Sequence, residues 1–171
     1  DVLVNNAAIT AQPVGLEMLP IDLWDRIFRV NLRGALLCAQ ALVPMMFEQQ
    51  AGSIVNVASI AAQSPSRVGA YGPTKAALIN LAESMKGMFE RAGLTLSVCN
   101  PGFVETPLTE GNVFPMPFLM TVDDAAEALY RGIKRRKFEI AFPTRFVLIL
   151  KFMRALPYAF YFPLMKRMTG R

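Results

Sequence analysis

Three short apolar runs, spaced by helical patterns longer than a dozen residues, constrain this chain more than anything else in it. They are Asp1-Val2-Leu3-Val4, Ser53-Ile54-Val55-Asn56-Val57 and the stretch from Leu94 to Cys99. Each is too short for a helix and rich in β-branched residues, so each reads as a strand. Connections this long join parallel neighbours. The pattern therefore predicts an α/β fold with a doubly wound parallel sheet. The first run reads as a buried strand, the others as strands over about 53–58 and 94–99, and a last strand is expected over 138–142. Helical spacing runs from 22 to about 47, with Asp22 and Asp25 at its start and Pro44 expected to kink it. A second helix spans 71–91, stopped by Ala92-Gly93, and a third runs from Val122 to about Arg136, capped by Thr121. Asp123 and Asp124 open this third helix and Lys134 to Lys137 close it, as the helix dipole favours.

In such sheets ligands sit beyond the carboxyl ends of the strands. Asn5, Asn6, Ser59, Pro101 and Gly102 all fall there, and Tyr71 and Lys75 stand one helical turn apart just after the second strand. A phenol with a pKa of about 10 transfers protons poorly near neutrality, and a cation held beside it favours the phenolate. Ser59 can add a hydroxyl to the same site. Tyr-x-x-x-Lys alone describes equally well a packed tyrosine beside a solvated lysine on a surface helix. The surrounding motifs change that balance: Asn5-Asn6-Ala7-Ala8, Val30-Asn31-Leu32-x-Gly34, Ser59 twelve residues before Tyr71, and Pro101-Gly102-x-Val104-x-Thr106, in that order.

This set resembles the short-chain dehydrogenase/reductase family over about residues 1–142. The resemblance implies the carboxyl-terminal part of a Rossmann-like domain whose first third lies upstream, since no G-x-x-x-G-x-G occurs here. It implies an enzyme that interconverts a carbonyl and an alcohol with NADP or NAD, the choice resting on the missing part. By resemblance Tyr71 is the general acid/base, Lys75 lowers its pKa and grips the nicotinamide ribose, and Ser59 orients the carbonyl. Asn31, by spacing alone as readily helix-stabilising as functional, would hold a water in the proton relay. Asn5, Asn6, Ala7 and Ala8 would line the adenosine-ribose side of the cofactor, with Ala8 where relatives more often have glycine. Pro101, Gly102, Val104 and Thr106 would hold the nicotinamide end. The Ser59–Tyr71 separation is one shorter than in many members. Relatives commonly pair through the helices matching 22–47 and 71–91, which implies a homo-oligomer.

From Phe103 to Met120 the chain has little periodicity, and a loop of this length in a compact domain is usually functional. Phe114, Met116 and Phe118 are its candidate substrate-facing residues, although an ordinary hydrophobic lid fits the same sequence. With no histidine and two isolated cysteines, Cys38 and Cys99, no metal site is expected. Residues 1–130 hold seven Lys/Arg against twelve Asp/Glu, whereas 131–171 hold eleven against Glu139 alone. This divides the chain into a domain over 1–142 and a basic, apolar tail over 143–171. In the tail Phe146, Ile149, Leu150, Met153 and Leu156 share one side of a helix, with Lys151 and Arg154 opposite. Its longest charge-free stretch, Ala155 to Met165, is shorter than the ~20 residues a bilayer-spanning helix needs. Such a tail suits a peripheral contact with anionic lipid on a cytoplasmic protein, or packing against a partner or over the substrate pocket. Apolar lid and tail together suggest a lipophilic small-molecule substrate. The basic residues lie among apolar runs, which argues against nucleic acid. The rival readings are a sugar epimerase or dehydratase using the same Tyr and Lys, and a non-catalytic membrane-associated nucleotide-binding scaffold.

Overall fold

The structure, a computed structural model, describes residues 1–11, 16–63, 69–110, 112 and 116–169. The candidate substrate residue Phe114 lies outside them. Strands β1 (Val2–Asn5), β2 (Ser53–Val57), β3 (Thr95–Pro101) and β4 (Glu139–Phe142) form one sheet in the order β1-β2-β3-β4. Every pairing is parallel. The connections are helical: α1 (Ile21–Phe28), α2 (Gly34–Gln49), α3 (Tyr71–Arg91), the single turn α4 (Pro107–Glu110) and α5 (Val122–Lys134). Two more helices, α6 (Thr144–Arg154) and α7 (Tyr158–Thr169), follow the sheet.

Alternation along the strands sends side chains to two covered faces. On one, Ile54, Leu96 and Val98 pack against Ala39 and Met46 of α2 and Ala82 and Phe89 of α3. On the other, Val55, Cys99, Ile140 and Phe142 pack with Ala125 of α5. Burial of each large aliphatic or aromatic side chain contributes about 1.5–3 kcal/mol, and that is what closes the helices onto the sheet. In the first strand, expected to be buried, Val2 and Val4 are 63% and 51% exposed in this chain. Among the described residues no strand pairs on its outer side.

The first helical stretch also differs. Its N-cap is Pro20, with no side-chain cap, so Asp22 lies in the first turn and acts only through the dipole. A π-helical turn, Arg29–Arg33, interrupts the stretch, and Pro44 sits inside α2. One inserted residue rotates Asn31 inward, and turns of this type recur at functional sites. Ile21–Gln49 is long and apolar enough to cross a membrane by composition, but its inner face carries the buried Asn31 and packs on the sheet. The third helix starts as the sequence indicates, with the Thr121 hydroxyl accepting from the Asp124 N–H at 3.1 Å.

The tail is packed onto the body. Phe146, Val147 and Leu150 of α6 bury against Ile60, with Phe103 and Ala141 beside them, and Lys151 pairs with Glu139 of β4. Met153 meets Tyr161 and Met165, which folds α7 back onto α6. Val147 rather than Ile149 completes the buried side, and the side expected to be polar also carries Leu148 and Phe152, 60% and 69% exposed.

Close helix–strand approach is tightest at Gly132 of α5, where an added Cβ would lie 2.5 Å from Ile140 Cγ2 and 2.7 Å from Cγ1. Gly132→Ala is therefore expected to destabilise the chain by about 1–3 kcal/mol, measured by denaturant unfolding. Both obstructing atoms are γ carbons, so Ile140→Ala, which removes them, should cost less in the Gly132→Ala background than alone. An unchanged midpoint in the single Gly132→Ala variant would contradict this packing.

Candidate active site

The carboxyl ends of β1, β2 and β3 and the start of α3 meet at one edge. Ser59 follows β2 in extended backbone and caps the short 3-10 turn Ile60–Ala62, its oxygen accepting from the Ala61 N–H at 3.1 Å. That bond occupies a lone pair and leaves the hydroxyl proton to donate. Ser59 in turn lies within side-chain hydrogen-bonding reach of Tyr71, the first residue of α3. One turn on, Lys75 is 2% exposed, and its ammonium donates to the Val57 carbonyl at 2.6 Å. The same nitrogen stands 5.6 Å from the centre of the Tyr71 ring. Ser59, Tyr71 and Lys75 are thus brought together by one strand end and one helix start.

Electrostatics at the site are dominated by burial. Desolvation pushes the Tyr71 phenol above its usual value, and the Ser59 hydrogen bond offsets this in part. Burial is the largest influence on the phenol here, with the Lys75 ammonium donating to the Val57 carbonyl. Burial brings Lys75 down to about 8, with Cys99 opposing. A buried ammonium must be hydrogen-bonded to be tolerated, and the strand-end carbonyl provides this.

Asn31 is 1% exposed, and its amide is used on both sides. Its oxygen accepts from the Ile9 N–H at 2.8 Å, while its nitrogen donates to the Ile9 carbonyl at 2.9 Å and to Thr74 Oγ1 at 3.2 Å. Thr74 donates to the Tyr71 carbonyl at 2.8 Å. The π turn is thereby tied to the loop after β1 and to the turn of α3 that carries the tyrosine and lysine. Thr74 is fully buried and was not singled out in the sequence; its signal there is a threonine three residues into a helix, where its hydroxyl can bond back.

The other expected residues are placed with more varied surroundings. Asn5 donates to Asn56 Oδ1 at 2.8 Å and reaches the Ala35 carbonyl at 3.4 Å, holding β1 to β2 and to the start of α2. Asn6 and Ala7 are exposed on the open side of the edge, and Ala8 is half-buried. Pro101 ends β3. Gly102 donates to the Phe142 carbonyl at 2.7 Å, and a Cβ on it would come within 2.8 Å of Pro143 Cδ, so β4 itself requires a glycine there. Val104 bridges to Met120 at the neck of the loop that follows β3, and the Thr106 N–H donates to Thr109 Oγ1 at 3.0 Å within the turn that opens α4. Met116 accepts from Asn112 at 3.5 Å. Phe118 has a left-handed backbone (φ 58°), is 51% exposed, and sets its ring 5.5 Å from Phe146. Gln63 Oε1 and Asn100 Oδ1 are buried here without a hydrogen-bond partner.

A family model described as short chain dehydrogenase matches residues 1–114. An oxidoreductase of Myxococcus xanthus is 34% identical over 161 residues, 92% of this chain and 62% of the relative. A 3-oxoacyl-[acyl-carrier-protein] reductase of Thermotoga maritima is 38% identical over 112 residues, 64% of this chain and 45% of the relative. Among solved structures, a short-chain dehydrogenase from Sphingobium yanoikuyae in complex with NADPH superposes with a TM-score of 0.76 at 23% identity, over 92% of this chain and 66% of the other. A 3-oxoacyl-[acyl-carrier protein] reductase with bound NAD from Brucella melitensis gives 0.68 at 26%, over 82% and 60%. The chain spans 62% or less of the length of the two relatives matched by sequence.

Lys75 yields a test of the site's electrostatics. Its folded-state pKa of about 8 lies below its ordinary 10.5, so the folded chain releases this proton first. Its contribution is unfavourable below about 8 and is relieved as pH rises from there toward 10.5. In Lys75→Met this dependence vanishes. The stability difference, variant minus parent, is expected to fall by roughly 3 kcal/mol between neutral pH and the upper end of that window, at about 1.36 kcal/mol per pH unit. A pH-independent difference in denaturant unfolding would show that Lys75 carries no such depression.

Proposed function

The chain belongs to the short-chain dehydrogenase family, and on that footing we propose that its protein interconverts a carbonyl and an alcohol on a lipophilic small molecule, with NADP or NAD as hydride carrier. The observation that supports this most is the buried Lys75 ammonium, held on a strand-end carbonyl one turn from Tyr71 and beside Ser59. A desolvated cation is costly to keep, and at a sheet's carboxyl edge its use is chemical.

The residues fit a nicotinamide cofactor. Lys75 has three N–H donors, of which the Val57 carbonyl takes one, so two remain to grip ribose hydroxyls. Asn6 and Ala7 are exposed along the same edge, where the adenosine-ribose side would lie, with Asn5 and Ala8 behind them. Pro101 and Gly102, with Val104 at the loop neck and Thr106 just after it, frame the nicotinamide end. Such a cofactor, when bound, supplies the hydride. Every other step falls to the chain. Ser59, its oxygen already accepting from Ala61, donates its proton to the substrate oxygen and fixes its orientation. Tyr71, a protonated phenol at neutral pH whose burial further disfavours the phenolate, gives its proton to that oxygen in reduction. Lys75 stabilises the phenolate that results. Asn31 supports this proton path by fixing the turn of α3 through Ile9 and Thr74.

A lipophilic substrate is supported by the apolar cluster that begins at Ile60, one residue after Ser59. Ile60, the residue after Ser59, packs with Phe146, and Phe103 and Phe118 set their rings 6.1 and 5.5 Å from Phe146. This wall offers apolar contact and no charge. Exposed Leu37 and Met45 on α2 and Met88 on α3 suit pairing of two copies through these helices.

Tyr71→Phe is expected to lower kcat for reduction of a hydrophobic ketone by about 10²–10⁴, with the melting temperature nearly unchanged. Ser59→Ala should cost about 10²-fold or more, as loss of a single positioned donor does. Steady-state kinetics in a protein carrying the complete domain would measure both, and a loss below about tenfold in Tyr71→Phe would remove the tyrosine from the role of acid.

A further inference from the structure

The outward sides of α6 and α7 are used by nothing described above. Phe152, Phe160 and Phe162 are 69%, 66% and 57% exposed, far more than large aromatics usually are. Each has an exposed cation on its own helix face: Arg145 lies seven residues before Phe152, Arg167 seven after Phe160, and Lys166 four after Phe162. No carboxylate pairs with these three cations among the described residues, and 144–171 contains no acidic residue.

We propose that α6 and α7 form a docking surface for an anionic membrane, Phe152 and Phe160 entering the headgroup–acyl boundary, Phe162 lying at its flank against Tyr158, and the three cations holding lipid phosphates. Aromatics with basic neighbours on short helices are what such an interface recognises. Two other occupants fit less well. A second copy meeting this face across a two-fold axis would bring the same cations against each other, with no acid to answer them. A segment extending the sheet beyond β1 would lie at the far edge, since α6 packs on β4. The inner side of α6 also bears on the site: Phe146, Val147 and Leu150 bury against Ile60, directly after Ser59. Docking therefore brings the helix whose inner side packs beside Ser59 against the lipid, which suits a substrate drawn from the bilayer. That last point rests on the proposed activity, whereas the docking does not.

Flotation of the full chain with phosphatidylcholine vesicles, with and without phosphatidylglycerol, tests the surface. The chain is expected to partition onto the anionic vesicles and to be released by high salt. Phe152→Ser with Phe160→Ser should weaken partitioning by about tenfold or more. Replacing Lys166 and Arg167 by Gln should weaken it by about fivefold per charge. All four side chains are exposed, so an unchanged thermal midpoint is expected in each variant, and the salt response of the parent chain needs no variant. Failure to bind anionic vesicles, or equal binding by the aromatic variant, overturns the proposal. So does an oligomer in lipid-free buffer that these same substitutions dissolve. Turnover of a water-soluble ketone, measured alongside, should be unaffected by the substitutions. With turnover measured in a protein carrying the complete domain, vesicle binding without any turnover would uphold the surface and count against the oxidoreductase reading alone.

Discussion

A buried ammonium is the interaction on which this structure turns. Lys75 is almost wholly withdrawn from water, and one protein oxygen, the carbonyl at the end of β2, receives it. An ammonium so placed disfavours its own charge, and the fold accepts that cost by fixing everything around it. The central strands are fully covered, so the Val57 carbonyl cannot drift. The start of α3 is tied through Thr74 and Asn31 to the loop after β1, so the lysine's helix cannot turn. Three segments far apart in sequence are thus made rigid against one charge. The tyrosine shares this surrounding, and burial is the largest influence on its proton affinity.

Much of this was legible in the sequence, because the signals were local and strong. Apolar runs of four to six residues with long helical connections leave little choice but a parallel sheet, and Tyr71 opens its helix where the pattern places it. The Thr121 cap and the Gly93 stop have one-residue chemical causes, Gly93 adopting φ 71°. What could not be read depends on three-dimensional partners. The break at Asn31 came from hydrogen bonds to Ile9 and Thr74, 22 and 43 residues away, whereas Pro44 drew attention by its chemistry alone. The exposure of Val2 and Val4 depends on what lies beside β1, which four apolar letters do not state. Gly102 looked like a cofactor position by motif, and the approach of Phe142 and Pro143 gives it a second reason.

The tail shows how one helix can serve two surroundings. A period-3.6 pattern normally assigns one side to protein and the other to water. In α6 both sides are apolar, so counting hydrophobic residues places the helix without saying which side faces inward. Packing decides it, through Ile60 and Ala141. The choice then leaves Leu148 and Phe152 outside, and it joins the basic segment to the polypeptide immediately after Ser59.

The loop after β3 is pinched where Val104 meets Met120, with the Glu105 N–H donating to the Met120 carbonyl at 3.0 Å and the Met120 N–H to Phe103 at 3.0 Å. A clasp of this kind insulates the strands from whatever lies within it. Lengthening, shortening or rewriting the enclosed residues leaves β3, β4 and the hydroxyl pair in register. On the proposed activity, the enclosed residues can be exchanged to suit a different substrate while Ser59, Tyr71 and Lys75 keep their places.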